Sequence, residues 1–205
     1  MARPQTAHEA WQLLASGNAN FVAGTPAHPR QDADIRLALA NKQKPFAALF
    51  GCSDSRLAAE MIFDVGLGDL FVVRNAGQVI AETILGSLEF AVEILKVPLI
   101  LVLGHDECGA IRSTMNAADG RLEARGEFIH NLVERIMPTV QRSLDAGETS
   151  IDEVTDRHVR DTIDELLERS NVISAAVKDG KLAVVGANYK LELGEVHPIV
   201  THGQI

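Results

Sequence analysis

Cysteine is scarce in this sequence: Cys52 and Cys108 are the only two among 205 residues. That scarcity excludes a disulfide framework and points to a reducing compartment. No Cys-x-x-Cys is present either, so thiol redox chemistry is the weakest of the candidate activities. Positive charge is also in deficit, with 19 lysines and arginines against 28 acids and a net charge of -9. Without a basic run, the chain is a poor candidate for gripping nucleic acid or anionic lipid. Long apolar runs are missing too. The longest, Val97 to Leu103, falls far short of the ~20 residues that cross a bilayer. The first residues hold no unbroken apolar stretch of the kind a secretion signal needs, so a cytoplasmic protein is expected.

No internal repeat, low-complexity tract or long linker divides the chain, and residues 1–205 are expected to form one domain. Hydrophobic residues at 46% and charged residues at 23% give an ordinary globular balance. A segment from Ala7 to Phe21 has helical spacing, and Gly24, Pro26 and Pro29 then force an irregular stretch before a short helix over Ile35 to Lys42. Residues 1–44 are read as an N-terminal helical arm that packs on a partner subunit.

Beyond the arm, strand-like runs alternate with helical periods. Phe46 to Phe50, Leu70 to Val73 and Leu99 to Leu103 are continuous apolar runs of the kind covered on both faces of a parallel sheet. Between them Ser55 to Phe63 reads as a helix, and Ile80, Ile84, Leu88, Ala91, Val92 and Leu95 mark one face of a longer one. Phe128 to Arg169 is helical with a break near Ala146-Gly147. Leu182 to Val185 and Val196 to Val200 read as closing strands. The expected fold is α/β: a mostly parallel central sheet of about four parallel strands plus an antiparallel edge strand, flanked by helices.

Chemistry gathers at two strand ends. The first reads Gly51-Cys52-Ser53-Asp54-Ser55-Arg56 and the second Gly104-His105-Asp106-Glu107-Cys108-Gly109-Ala110. In an open parallel sheet, carboxyl ends of strands around a switch point line the ligand crevice. Two thiolates and one imidazole suit zinc, and three protein ligands leave a fourth position open, as catalytic sites do. The bland alternative makes both cysteines buried hydrophobes. Beside them, Arg56 would keep Asp54 ionised and orient it; alternatively, Asp54 or Ser55 caps the following helix.

Cys-Ser-Asp-Ser-Arg at 52–56, Phe71-Val-Val-Arg-Asn-Ala-Gly77 and Gly-His-Asp-Glu-Cys-Gly-Ala at 104–110 together resemble the β-class carbonic anhydrases. The likeness runs in element order from about residue 8 to 200, with its specific motifs between Gln31 and Ala110. It implies zinc held by Cys52, His105 and Cys108, with Asp54 and Arg56 orienting a zinc-bound hydroxide that attacks carbon dioxide to give bicarbonate and a proton. It also implies a closed form in which Asp54 becomes the fourth ligand. Gln31 would hydrogen-bond substrate, Phe71, Ala76 and Phe90 would form its apolar wall, and Gly109 would lie beside the zinc. The pocket would be built across the interface of a homodimer or homotetramer.

Two departures from the family pattern stand out. Phe90 occupies a position where plant-like members carry tyrosine. Leu49 occupies one where some bacterial members carry the tryptophan of a non-catalytic bicarbonate site, although Arg74 and Tyr189 match that site's other residues. The regulatory site is therefore not expected. Rival readings are a carbonyl sulfide or carbon disulfide hydrolase on the same scaffold and a non-catalytic protein whose zinc is closed by Asp54.

Overall fold

A computed structural model describes residues 3–121 and 125–205. Five strands form one sheet in the order β2-β1-β3-β4-β5: β1 (Ala47–Cys52), β2 (Leu70–Asn75), β3 (Leu99–His105), β4 (Ala183–Lys190) and β5 (Glu195–His202). The β2–β1, β1–β3 and β3–β4 pairs are parallel and β4–β5 is antiparallel, as the apolar runs predict. Every residue of β1 and β3 is buried. Their side chains alternate between two cores. Ala47, Leu49, Leu99, Leu101 and Leu103 pack on one face, and Ala48, Phe50, Ile100 and Val102 on the other. Burial on both faces is why these strands carry almost no polar residue.

Helices cover both faces. On the first lie α1 (Ala7–Val22), α3 (Ala59–Ile62), α5 (Gly109–Ala118) and α6 (Glu127–Asp145). The second is covered by α4 (Glu82–Glu93) and α8 (Asn171–Lys178), and α7 (Ile151–Arg169) contributes to both cores. The break near Ala146-Gly147 falls where expected, and Ser150 then opens α7 with a reciprocal capping box to Glu153.

The structure corrects several expected boundaries. The helix read over Ser55 to Phe63 is only α3, because its first half is held in a turn: the Arg56 N–H donates to Asp54 Oδ1 at 3.0 Å and the Leu57 N–H to the Asp54 carbonyl at 3.1 Å. Asp54 and Ser55 therefore do not cap it; the N-cap is Ala58, which makes no side-chain cap bond. The short helix expected over Ile35 to Lys42 is α2 (Ala33–Ala38), opened by Asp32, whose carboxylate accepts from the Ile35 N–H at 2.9 Å. Ile80 is buried but precedes α4. Strands β2, β3 and β4 run on into polar residues, with Arg74 opposite Gly51, Asn75 opposite Cys52 and Tyr189 opposite His105.

The N-terminal segment is anchored on its own subunit. Ala10 and Leu14 of α1 are fully buried in the first core. Asn18 Nδ2 donates to the carbonyls of Ile62 at 3.2 Å and Gly194 at 2.8 Å, and its Oδ1 accepts from the Val196 N–H at 3.0 Å. Gly17 faces the end of α3 so closely that a methyl group there would overlap the Phe63 carbonyl oxygen. The opposite side of α1, with Gln12, Ala15 and Ala19, is exposed.

Gly17→Ala tests this docking. Alanine gains ~1 kcal/mol of helix propensity over glycine, whereas overpacking against a fixed backbone costs about 1–3 kcal/mol or more. A lower urea unfolding midpoint is expected; a raised one would mean that α1 does not sit against Phe63.

Candidate metal centre

Strands β1 and β3 are parallel neighbours, so they deliver their last residues, Cys52 and His105, to the same end of the sheet. The chain then turns through Asp106 and Glu107, and Cys108 is the N-cap of α5. Glu107 takes φ +52°, a strained conformation for a residue with a side chain, and the turn carries Cys108 back over the strand end. Two bonds to the neighbouring strand tether this turn. The Asp106 N–H donates to the Tyr189 carbonyl at 3.1 Å, and Asp106 Oδ1 accepts from the Leu191 N–H at 3.0 Å.

The two sulfurs and the histidine nitrogen lie within 4.8 Å of one another, and all three residues are buried. Their donor set is prepared for a cation. His105 Nδ1 lies 2.7 Å from the Asp106 carbonyl oxygen. A carbonyl only accepts, so Nδ1 holds the proton and Nε2 presents a bare lone pair. That Nε2 is buried without a hydrogen-bond partner. The two thiols cannot both ionise unaided. A hydrogen bond from Cys108 is the largest cause lowering Cys52, and the Cys108 thiol, spent on that sulfur and buried, is pushed up. A divalent cation removes this conflict by stabilising both thiolates. Two sulfurs and one imidazole in tetrahedral reach fit zinc.

Asp54 stands outside this three-atom group. Arg56 holds it from the solvent side by a two-pronged contact, Nε to Oδ1 at 2.9 Å and Nη2 to Oδ2 at 2.8 Å. That guanidinium, the largest cause, holds the Asp54 carboxyl far below the usual carboxylate range. Arg56 Nη2 also reaches the Glu107 carbonyl at 3.4 Å, joining the two strand-end loops.

The sequence did not reveal how Arg74, Gly77 and His158 frame the site. Arg74 donates from Nε to the Cys52 carbonyl at 2.9 Å and from Nη2 to the Asp54 carbonyl at 2.7 Å. Its guanidinium is committed to these backbone carbonyls, and Leu49 and Tyr189 are both buried. The Gly77 N–H donates to Cys52 Sγ at 3.4 Å, and His158 Nε2 lies 2.7 Å from the Gly77 carbonyl oxygen. Cys52, His105 and Cys108 share a cavity with Gly77, Gln78, Gly104, Ile111, Thr155 and His158, with only about 10 Å³ of free space, the scale of one ion or water.

The other expected site residues do not line this cavity within one chain. Gln31 is exposed in the loop before α2, and Ala76 and Gly109 are also exposed. Phe71 on β2 and Phe90 on α4 pair at a centroid distance of 6.1 Å, with Phe90 43% exposed.

Residues 47–196 match the family model described as carbonic anhydrase. The chain is 50% identical over 186 residues to carbonic anhydrase 2 of Mycobacterium tuberculosis, covering 90% of this chain and 89% of that protein. It is 48% identical over 187 residues to the carbonic anhydrase of Mycolicibacterium smegmatis, covering 91% and 90%. Among solved structures, a tetrameric β-carbonic anhydrase from the ascomycete Sordaria macrospora superposes with a TM-score of 0.71 at 25% identity, over 94% of this chain and 97% of that one.

Metal analysis of the purified protein should find about one zinc per chain, one site being formed by three protein donors. Cys108→Ala is expected to reduce that content to near none, and full retention would remove Cys108 from the ligand set.

Proposed function

The chain belongs to the β-class of the carbonic anhydrase family, and from that premise we propose that Cys52, His105 and Cys108 hold zinc for the reversible hydration of carbon dioxide to bicarbonate and a proton. The observation that carries this reading is the convergence of three buried donor atoms within 4.8 Å, one of them an imidazole nitrogen with no protein partner. When bound there, zinc supplies the Lewis acidity that makes a water a competent nucleophile near neutral pH.

The chain's own residues then direct the reaction. Asp54, ionised by Arg56, can only accept hydrogen bonds. An attacking oxygen beside it therefore gives its proton to that bond and turns a lone pair toward the carbon of the substrate. Arg56, anchored on the Glu107 carbonyl, keeps the carboxylate at its post. Asp54 serves as this acceptor in the open form and becomes the fourth ligand in a closed one. The fork to Arg56 supports the open form and argues against a permanently closed structural zinc.

Substrate is held by a wall completed between subunits. Gln31, Phe71, Ala76 and Phe90, with Gly109 beside the metal, face a homodimer or homotetramer interface, a reading supported by the exposure of Phe90 and by the tetrameric state named for the Sordaria relative. The outer side of α1 is free to join the same interface. Among the described residues no helix is long and apolar enough to cross a membrane, and the two free cysteines favour the cytoplasm.

Stopped-flow measurement of carbon dioxide hydration by the zinc-loaded protein should show rapid acidification. Its absence at every pH between about 7 and 9, where a catalytic zinc water ionises, would sink the reading. Faster turnover of carbonyl sulfide or carbon disulfide would reassign the substrate. Asp54→Asn should lower kcat about a hundredfold or more, the usual contribution of a positioned proton acceptor. The sign for Arg56→Gln follows from the depressed Asp54 carboxyl: activity needing the carboxylate is lost as pH falls through that group's pKa, and removing Arg56 raises it. Carbon-13 spectra of the metal-free protein should therefore show the Asp54 carboxyl titrating at higher pH in the variant than in the wild type.

A further inference from the structure

His158 has no place in the proposed chemistry, yet it is the one histidine outside the ligand set that lines the ligand cavity among the described residues. It projects from α7, is 6% exposed, and lies 81 residues beyond the glycine it contacts. Its Nε2 sits 2.7 Å from the Gly77 carbonyl oxygen. Because that oxygen only accepts, Nε2 is the donor. Nδ1 is buried with no hydrogen-bond partner.

Gly77 is an unusual link to hold in this way. Its φ of +72° is costly for any residue with a side chain, and a methyl group there would press on Ala110 Cβ and Ile136 Cδ1, each at 2.8 Å. The bare backbone therefore lies against α5 and α6 with nothing of its own to grip them. The flanking turn is fastened by Asn75, which accepts from the Val79 N–H at 2.9 Å and donates to the Val79 carbonyl at 2.7 Å. On the sulfur side, the Gly77 N–H points at Cys52 Sγ.

We propose that His158 is a positioning residue of the metal centre: by donating to the Gly77 carbonyl it fixes the amide that donates to the Cys52 sulfur, and so sets how strongly that thiolate binds and donates to the metal. An N–H aimed at a thiolate draws charge from it and favours the deprotonated form. Outer partners of metal ligands govern affinity in the same way. A histidine that merely fills the core would affect folding stability and leave the electronic character of the sulfur alone. The inference rests on Cys52 being a ligand, so its test must separate the two ideas.

The test compares the cobalt(II)-substituted wild type, His158→Gln and His158→Phe. Sulfur-to-cobalt charge-transfer absorption and the rate of cobalt loss to excess chelator are recorded for each. Phenylalanine keeps the ring but lacks the donor; its bands should shift and its metal should be lost about tenfold faster, within the ordinary range for outer-shell changes. Glutamine carries an N–H donor at comparable reach and should stay within about twofold of wild type. Unmoved bands and an unchanged rate in the phenylalanine variant would overturn the proposal. A wild type without any sulfur-to-cobalt band would instead overturn the ligand set itself. If the phenylalanine variant does not fold, nitrogen-15 spectra of wild-type His158 decide: the Nε2–H tautomer is expected, and the Nδ1–H tautomer overturns the proposal.

Discussion

The structure turns on one adjacency: β1 lies parallel to β3, in register from Ala48 opposite Ile100 to Gly51 opposite Leu103. Parallel neighbours end on the same side, so residues 53 positions apart in sequence meet without any special loop. Sliding either strand by one residue would turn Cys52 or His105 to the opposite face. The register is protected by burial. Leu49 and Leu101 share one core while Phe50 and Val102 share the other, and a slip would exchange them all. The hydrophobic effect thus supplies the precision that the donor atoms need, although none of the residues providing it touches the cavity.

Charge is divided across the site in a consistent way. The buried interior holds two sulfurs and an imidazole, a set that is electrostatically incomplete by itself. Toward solvent sits a carboxylate already satisfied by a guanidinium. The inner groups suit a cation, and the outer pair is already matched in charge. Backbone carbonyls of Cys52 and Asp54 are gathered by Arg74, so the loop carrying the carboxylate is held by fixed charge on both sides.

Much of this was legible in the linear order of residues. Apolar runs at 46–50 and 99–103 announced buried parallel strands, and the polar clusters ending them announced the crevice. Asp54 and Arg56 were legible as a pair because they are two positions apart. The short reach of α3 was hidden, since the turn preceding it depends on where the Asp54 carboxylate points. Helix α5 was hidden by its composition: Ile111 and Thr114 are its only buried residues. Helix α8 was masked by Ser170, which ends α7 and caps α8 at once. The frame of the site was least legible. Gly77 and His158 meet only because α7 crosses the sheet, and no spacing rule links positions so distant. Gln31 and the phenylalanines came from family likeness alone, and a single chain leaves them away from the ligands.

The Asn18 contacts carry a consequence for how the molecule comes into being. They join the first helix to Gly194 and Val196 across 176 and 178 positions. Closing so long a loop is entropically costly and becomes favourable only when its far end is already fixed. During synthesis α1 emerges well before β5, yet its docking surface includes that strand. The earlier segment thus settles late, and until then the Ala10 and Leu14 face stays uncovered, which is when a nascent chain is most open to chaperones or to misassembly.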